Sequence, residues 1–281
     1  VDAEADARTD RESGRLARLT RLARSPLGWM LLGTIGIVGV SALSSSGHPV
    51  SAVVGAAAAV AVYWAVMRHV ARRSTPEIAP KSAVPYAAVG IVLGVVLIAA
   101  SMLMVMTEFS FAPAPGDVTA IVGSMVVIQL WAAVTEELIF RGLLLQALER
   151  LCGSGPALAI TAALFGLLHL LNPGATLWSS FAIAVEAGVL LGAAFLWRRN
   201  LWLVIGLHFA WNTSVSLLGI PVSGHEAAGV LITQPTGPDL LTGGAFGIEA
   251  SIVPIVVSLV LATPMLIAAR RRGNLVPWRR R

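Results

Sequence analysis

Long apolar runs separated by short polar or charged clusters dominate the chain. A transmembrane helix needs about 20 mostly apolar residues, and eight runs approach that length: 27–45, 50–67, 83–106, 118–140, 156–171, 176–197, 201–218 and 248–269. The fifth is short, and the fourth is expected to continue as helix to Arg150. Gly153, Gly155 and Pro156 break the chain between them, and proline suits the first turn of a new helix. Gly90 and Gly94, like Gly188 and Gly192, form GxxxG patterns, which let helix backbones approach closely within one bundle. No internal repeat is evident. The pattern predicts an all-α polytopic membrane protein with eight transmembrane helices.

Composition narrows the alternatives. Of 281 residues, 56% are hydrophobic and only 12% charged, against roughly 25% charged in a soluble domain. The mean hydropathy of +0.80 excludes a disordered chain. The single cysteine, Cys152, excludes an intrachain disulfide and a four-thiolate metal site. The formal net charge is +5, and in a soluble protein that surplus would suggest nucleic acid. Here it sorts by loop. Six arginines from Arg8 to Arg24 precede the first run, and Arg68, Arg72, Arg73 and Lys81 separate the second from the third. Arg141 and Arg150 follow the middle of the fourth, Arg198 and Arg199 end the sixth, and Arg270, Arg271, Arg272, Arg279, Arg280 and Arg281 follow the eighth. All 20 Lys and Arg fall on one side if both termini are cytoplasmic, and the opposite loops hold Glu108, Asp117, Glu226 and Asp239. That is the positive-inside pattern. The chain divides into a basic cytoplasmic segment 1–26, a membrane domain 27–270 and a basic tail 271–281, a multi-pass protein of a bacterial cell membrane. The first 25 residues mix acids with arginines and do not read as a secretory signal. The basic ends suit anionic lipid, with no nucleic acid partner. Loop 219–247, rich in Gly, Pro and Thr, reads equally as a lid or a connector.

Seven charged or hydrogen-bonding side chains stand out on these helices: Glu136, Glu137, Arg141, His169, Glu186, His208 and Asn212. Such groups are costly in a bilayer and need a function or a partner. Glu137 and Arg141 are four residues apart and can pair on one helical face. Glu136 points elsewhere, so two adjacent acids occupy different electrostatic environments. At 1.5 Å of rise per residue, Glu136 and His169 each lie ~21 Å from the cytoplasmic end of their helices, His208 ~12 Å and Glu186 and Asn212 ~18 Å. Four helices thus present polar groups at similar height.

One unpaired Glu, two His and an Asn, with no nucleophilic Ser, Cys or Thr evident beside them, point to activation of water. The Glu can serve as general base and then general acid, and His and Asn can donate to an oxyanion. Glu136, His169 and His208 are equally the ligand types that zinc accepts. No HExxH or GxSxG pattern is present.

Three motifs follow one another along the chain. Glu136-Glu137-Leu138-Ile139-Phe140-Arg141 gives EExxxR, Phe165-Gly166-Leu167-Leu168-His169 gives FxxxH, and His208-Phe209-Ala210-Trp211-Asn212 gives HxxxN. Together, over about 117–218, they resemble the CPBP (Abi) family of type II CAAX prenyl endopeptidases and their bacterial relatives. The resemblance implies a glutamate-dependent intramembrane endopeptidase in which Glu136 activates water beside His169. It implies that His208 and Asn212 bind the oxyanion and that Glu137 and Arg141 form the supporting ion pair. Phe165 stands behind them as the first residue of FxxxH, and Glu186, outside the motifs, reads equally as a site residue or as a partner for a neighbouring His. The family is often labelled metalloprotease, but no obligatory metal is expected. The expected substrate is a membrane-tethered or lipophilic peptide rather than a prenylated one, and a site opening sideways to lipid and down to the cytoplasm would suit it. A non-catalytic immunity or adaptor protein using loop 219–247, and a proton-coupled transporter, are the alternatives.

Overall fold

The computed structural model describes residues 14–44, 48–226 and 228–278. The start of the basic 1–26 segment, residues 45–47 of the first connection and the last three arginines of the tail lie outside them. Among the described residues seven helices are long and apolar enough to cross a membrane: α1 (Pro26–Leu43), α2 (Pro49–Val70), α3 (Pro80–Glu108), α4 (Val118–Cys152), α5 (Ser154–Leu171), α6 (Leu177–Arg198) and α8 (Ile252–Arg271). The expectation of eight full spans is corrected at one point. The seventh run forms α7 (Leu201–Leu217), with only 17 residues.

The reason is location. All but four residues of α7 are buried, against α3, α4 and α6 among others. A helix wrapped by protein is matched to its neighbours rather than to the thickness of a bilayer. Its ends are fixed locally. The Asn200 side-chain oxygen accepts the Leu203 N–H at the start, and Gly219, at φ 73°, turns the chain just beyond the end. Gly90 and Gly94 of α3 lie against the Leu203 and Leu207 carbonyls of α7, and Gly206 of α7 lies against the Ala87 carbonyl. A Cβ at any of the three would collide with backbone, so the first GxxxG pattern packs within the chain. The second does the same, with Gly188 and Gly192 of α6 facing Ala162 and Leu158 of α5. By contrast, α1 and α3 turn Leu31, Ile35, Val92 and Leu103 outward, the apolar surface a bilayer would cover.

A small sheet departs from the all-helical expectation. β1 (Phe109–Pro113) pairs antiparallel with β2 (Leu231–Pro235), Phe111 opposite Thr233. It joins the α3–α4 connection to the long α7–α8 connection. The opposite end of the bundle is tied by the Arg199–Glu149 ion pair at 2.5 Å, by Asn274 donating to the Trp197 carbonyl, and by Asn200 donating to Ser82. There too Arg73 joins Glu77 at 2.7 Å, and Tyr63 donates to the same carboxylate. Three helices widen into π turns, α2 over Val66–Val70, α4 over Leu138–Leu144 and α6 over Ala184–Val189. Such turns free backbone carbonyls and often mark functional positions.

Candidate active site

The widened turn of α4 begins directly after Glu136 and Glu137, and these two acids face different surroundings. The Glu137 side chain is fully buried. Its Oε1 accepts from Arg141 Nη1 at 2.7 Å and from His208 Nδ1 at 2.9 Å. Arg141 continues across the bundle, donating through Nη2 to the carbonyls of Ala187 at 2.9 Å and Gly188 at 3.2 Å. Those carbonyls belong to the widened turn of α6, so the guanidinium fills acceptors that the turn leaves open. Its Cζ also lies 4.9 Å from the Phe165 ring centroid, within cation–π range. One ion pair therefore joins α4, α5, α6 and α7.

Among the described residues Glu136 has no arginine within ion-pair distance, and about a third of its side chain (35%) is exposed. It lines a cavity of about 560 Å³ together with Phe165, His169 and His208. The closest charged contact is His208 Nε2, 3.9 Å from Glu136 Oε2. His208 is thus held between the two acids, one ring nitrogen toward each. Because a carboxylate only accepts, the bond to Glu137 places a proton on Nδ1.

His169 faces the same cavity at the end of α5. Its Nδ1 lies 2.7 Å from the Phe165 carbonyl oxygen. A carbonyl likewise only accepts, so Nδ1 carries the proton and Nε2 is left free. The Phe165 ring packs against His169 at 4.6 Å, meets Phe140 edge-on at 4.8 Å and reaches His208 at 6.4 Å. The first and last residues of the FxxxH motif thus act on each other directly. No ion pair within 4.0 Å joins Glu136 to His169 among the described residues, so the imidazole nearest Glu136 is that of His208.

Two expected residues stand apart from the cavity wall. Asn212 is buried one turn beyond His208, and no hydrogen bond reaches its side chain among the described residues. Glu186 is buried in the widened turn of α6, and neither carboxylate oxygen has a hydrogen-bond partner there, His208 included. It lines a separate cavity of about 20 Å³ with His208, Trp211 and Ser258, whose hydroxyl also lacks a partner. That is room for about one water molecule.

Glu249 is a buried acid that sequence reasoning missed. It accepts from the Trp211 indole at 2.9 Å, from the Ser223 hydroxyl at 2.9 Å and from the Ser223 backbone N–H. Asn172 donates to the Ser223 carbonyl at 3.0 Å. The 222–225 turn is thereby fastened to α7 and to the end of α5, forming one rim of the cavity. The available signal was a lone carboxylate at the start of an apolar run.

Among the described residues, no group of three or more His, Cys, Asp or Glu side chains is arranged to hold a metal ion. Glu136, His169 and His208 share a cavity without forming such a group, and both imidazoles engage Nδ1 and leave Nε2 free.

The fold and site define a helical membrane protein with an acid–imidazole cavity inside its bundle. Residues 118–214 match the family described as Type II CAAX prenyl endopeptidase Rce1-like. Neither a curated protein nor a solved structure matches the chain.

Proposed function

We propose that the protein is a glutamate-dependent intramembrane endopeptidase that hydrolyses peptide bonds in a membrane-tethered or lipophilic peptide. The observation that carries this reading is the unequal treatment of adjacent carboxylates. Glu137 is sealed by Arg141 and His208, whereas Glu136 stands open to a cavity it shares with two imidazoles. A structural ion pair needs only the first, and a general base needs the second.

In this mechanism Glu136 accepts a proton from water, which His169 helps to position through Nε2. The resulting hydroxide adds to the peptide carbonyl carbon, and the carbonyl π electrons move to oxygen. His208 enters the reaction as an imidazolium between the two acids and donates from Nε2 to that oxyanion, keeping both protons throughout, with its Nδ1–H on Glu137. Asn212 is assigned as a second donor, since its amide is unengaged one turn from His208. Collapse of the tetrahedral species re-forms the carbonyl and expels the amine nitrogen, which takes the proton from Glu136. No step requires a metal.

The test is cleavage of a membrane-tethered peptide by purified protein. Glu136→Ala and His169→Ala should each lose activity by about 10²–10⁴-fold while still inserting and folding. Turnover at the wild-type rate by either variant would overturn the reading. Full activity in protein shown by metal analysis to contain no zinc is also expected, and activity that returns only with added zinc would contradict the metal-free route.

A further inference from the structure

We infer that the cavity is entered from the arginine-free face of the membrane domain and takes a Lys- or Arg-bearing segment of a peptide tethered to that leaflet. The inference rests on the protease reading and adds the side of attack and the substrate class. The cavity wall contains no residue from the ends of the helices where the arginines cluster. Its floor is Phe140, behind which the buried Arg141–Glu137 pair closes the bundle. Its rim is Asn172, Ser223, His225 and Glu226, all from connections that carry no Lys or Arg.

A route to the outside is present on the same face. A groove of about 910 Å³, lined by β2 and the loops around it, shares His225 and Glu226 with the site cavity. Both are exposed. If the arginine-rich ends are cytoplasmic, as the charge sorting indicates, this path leads outward from the cell. The sequence reading expected an opening sideways to lipid and down to the cytoplasm; on this proposal the opening is extracytoplasmic.

Charge then sets the substrate class. Glu136, Glu226 and Glu249 line the cavity, and no Lys or Arg does. Glu249 is occupied by Trp211 and Ser223, leaving Glu226 at the mouth and Glu136 at the bottom to face an incoming chain. A basic side chain would be drawn in, whereas a free C-terminal carboxylate would be repelled. Carboxylates lining a cleft between low-dielectric walls act on an incoming charge more strongly than the same groups on an open surface.

Two measurements test this on the full chain. In a Cys152→Ser background, Ala132→Cys on the cavity wall and His225→Cys at the rim should react with a membrane-impermeant maleimide in intact cells. Arg272→Cys should react only in inverted vesicles. Labelling of the rim and wall from the same side as Arg272→Cys would overturn the side of entry, whatever the catalytic outcome, because the assay needs no turnover. If Ala132→Cys fails to insert, the rim position decides. For substrate class, binding of an acylated Lys/Arg-containing peptide to His169→Ala protein in liposomes is compared with a version carrying Glu at the same places. At low salt the basic peptide should bind about fivefold or more tightly, with the preference reduced by Glu226→Gln and largely lost above ~0.5 M salt. Equal binding of the two peptides would overturn the charge assignment.

Discussion

The bundle behind α4 and the cavity in front of it use the same residue types to opposite ends. Behind, Arg141 bonds Glu137 Oε1 and the Ala187 and Gly188 carbonyls in a sealed contact, with Glu137 Oε2 left without a partner among the described residues. In front, Glu136 and His169 keep unfilled hydrogen-bonding capacity facing open space. His208 belongs to both, one nitrogen on each side. The difference teaches that the sealed half is the support for the open half. In the proposed mechanism a base that must meet water is not held by a strong counterion, and the restraint falls on its neighbour and reaches the cavity through His208.

That comparison can be broken from the sealed side. Arg141→Ala leaves Glu137 buried without its charge partner and uncaps two carbonyls, and should cost about 3–5 kcal/mol of stability, read by unfolding in detergent. A loss under about 1 kcal/mol would show that the node carries little of the fold. A smaller effect is expected at the hinge between the halves. Phe165→Leu keeps the carbonyl that orients His169 but removes the ring against His169 and Arg141, and should cost about 1–2 kcal/mol and lower kcat more than it raises KM. An unchanged kcat would mean that the ring does not position the imidazole. The smallest effect is expected away from both halves. Glu186→Met removes two acceptors that have no partner among the described residues and should be neutral or stabilising by up to about 2 kcal/mol. A loss of that size would mean that the carboxylate is satisfied by something other than the described side chains.

Much of this was legible in the sequence because it rests on short-range rules. Apolar run length located the helices, and i,i+4 spacing paired Glu137 with Arg141 and placed Phe165 against His169. The failures are long-range. β1 and β2 lie more than a hundred residues apart and lack a hairpin turn to announce them. The shortness of α7 reflects enclosure by protein, and residue count against bilayer thickness does not register that. Glu249 hid at the edge of an apolar run, and its role depends on Trp211 and Ser223 arriving from elsewhere. The contact of His208 with both acids required the α4–α7 packing, which spacing alone does not provide.

The central claim, that Glu136 is the water-activating base and Glu137 its structural neighbour, is tested most directly by comparing Glu136→Gln with Glu137→Gln for both cleavage rate and thermal unfolding. The account predicts that Glu136→Gln loses about 10²–10⁴-fold in kcat with stability within about 0.5 kcal/mol of wild type, while Glu137→Gln is clearly destabilised. A Glu136→Gln protein that cleaves at the wild-type rate, or one that fails only because it unfolds, would contradict it.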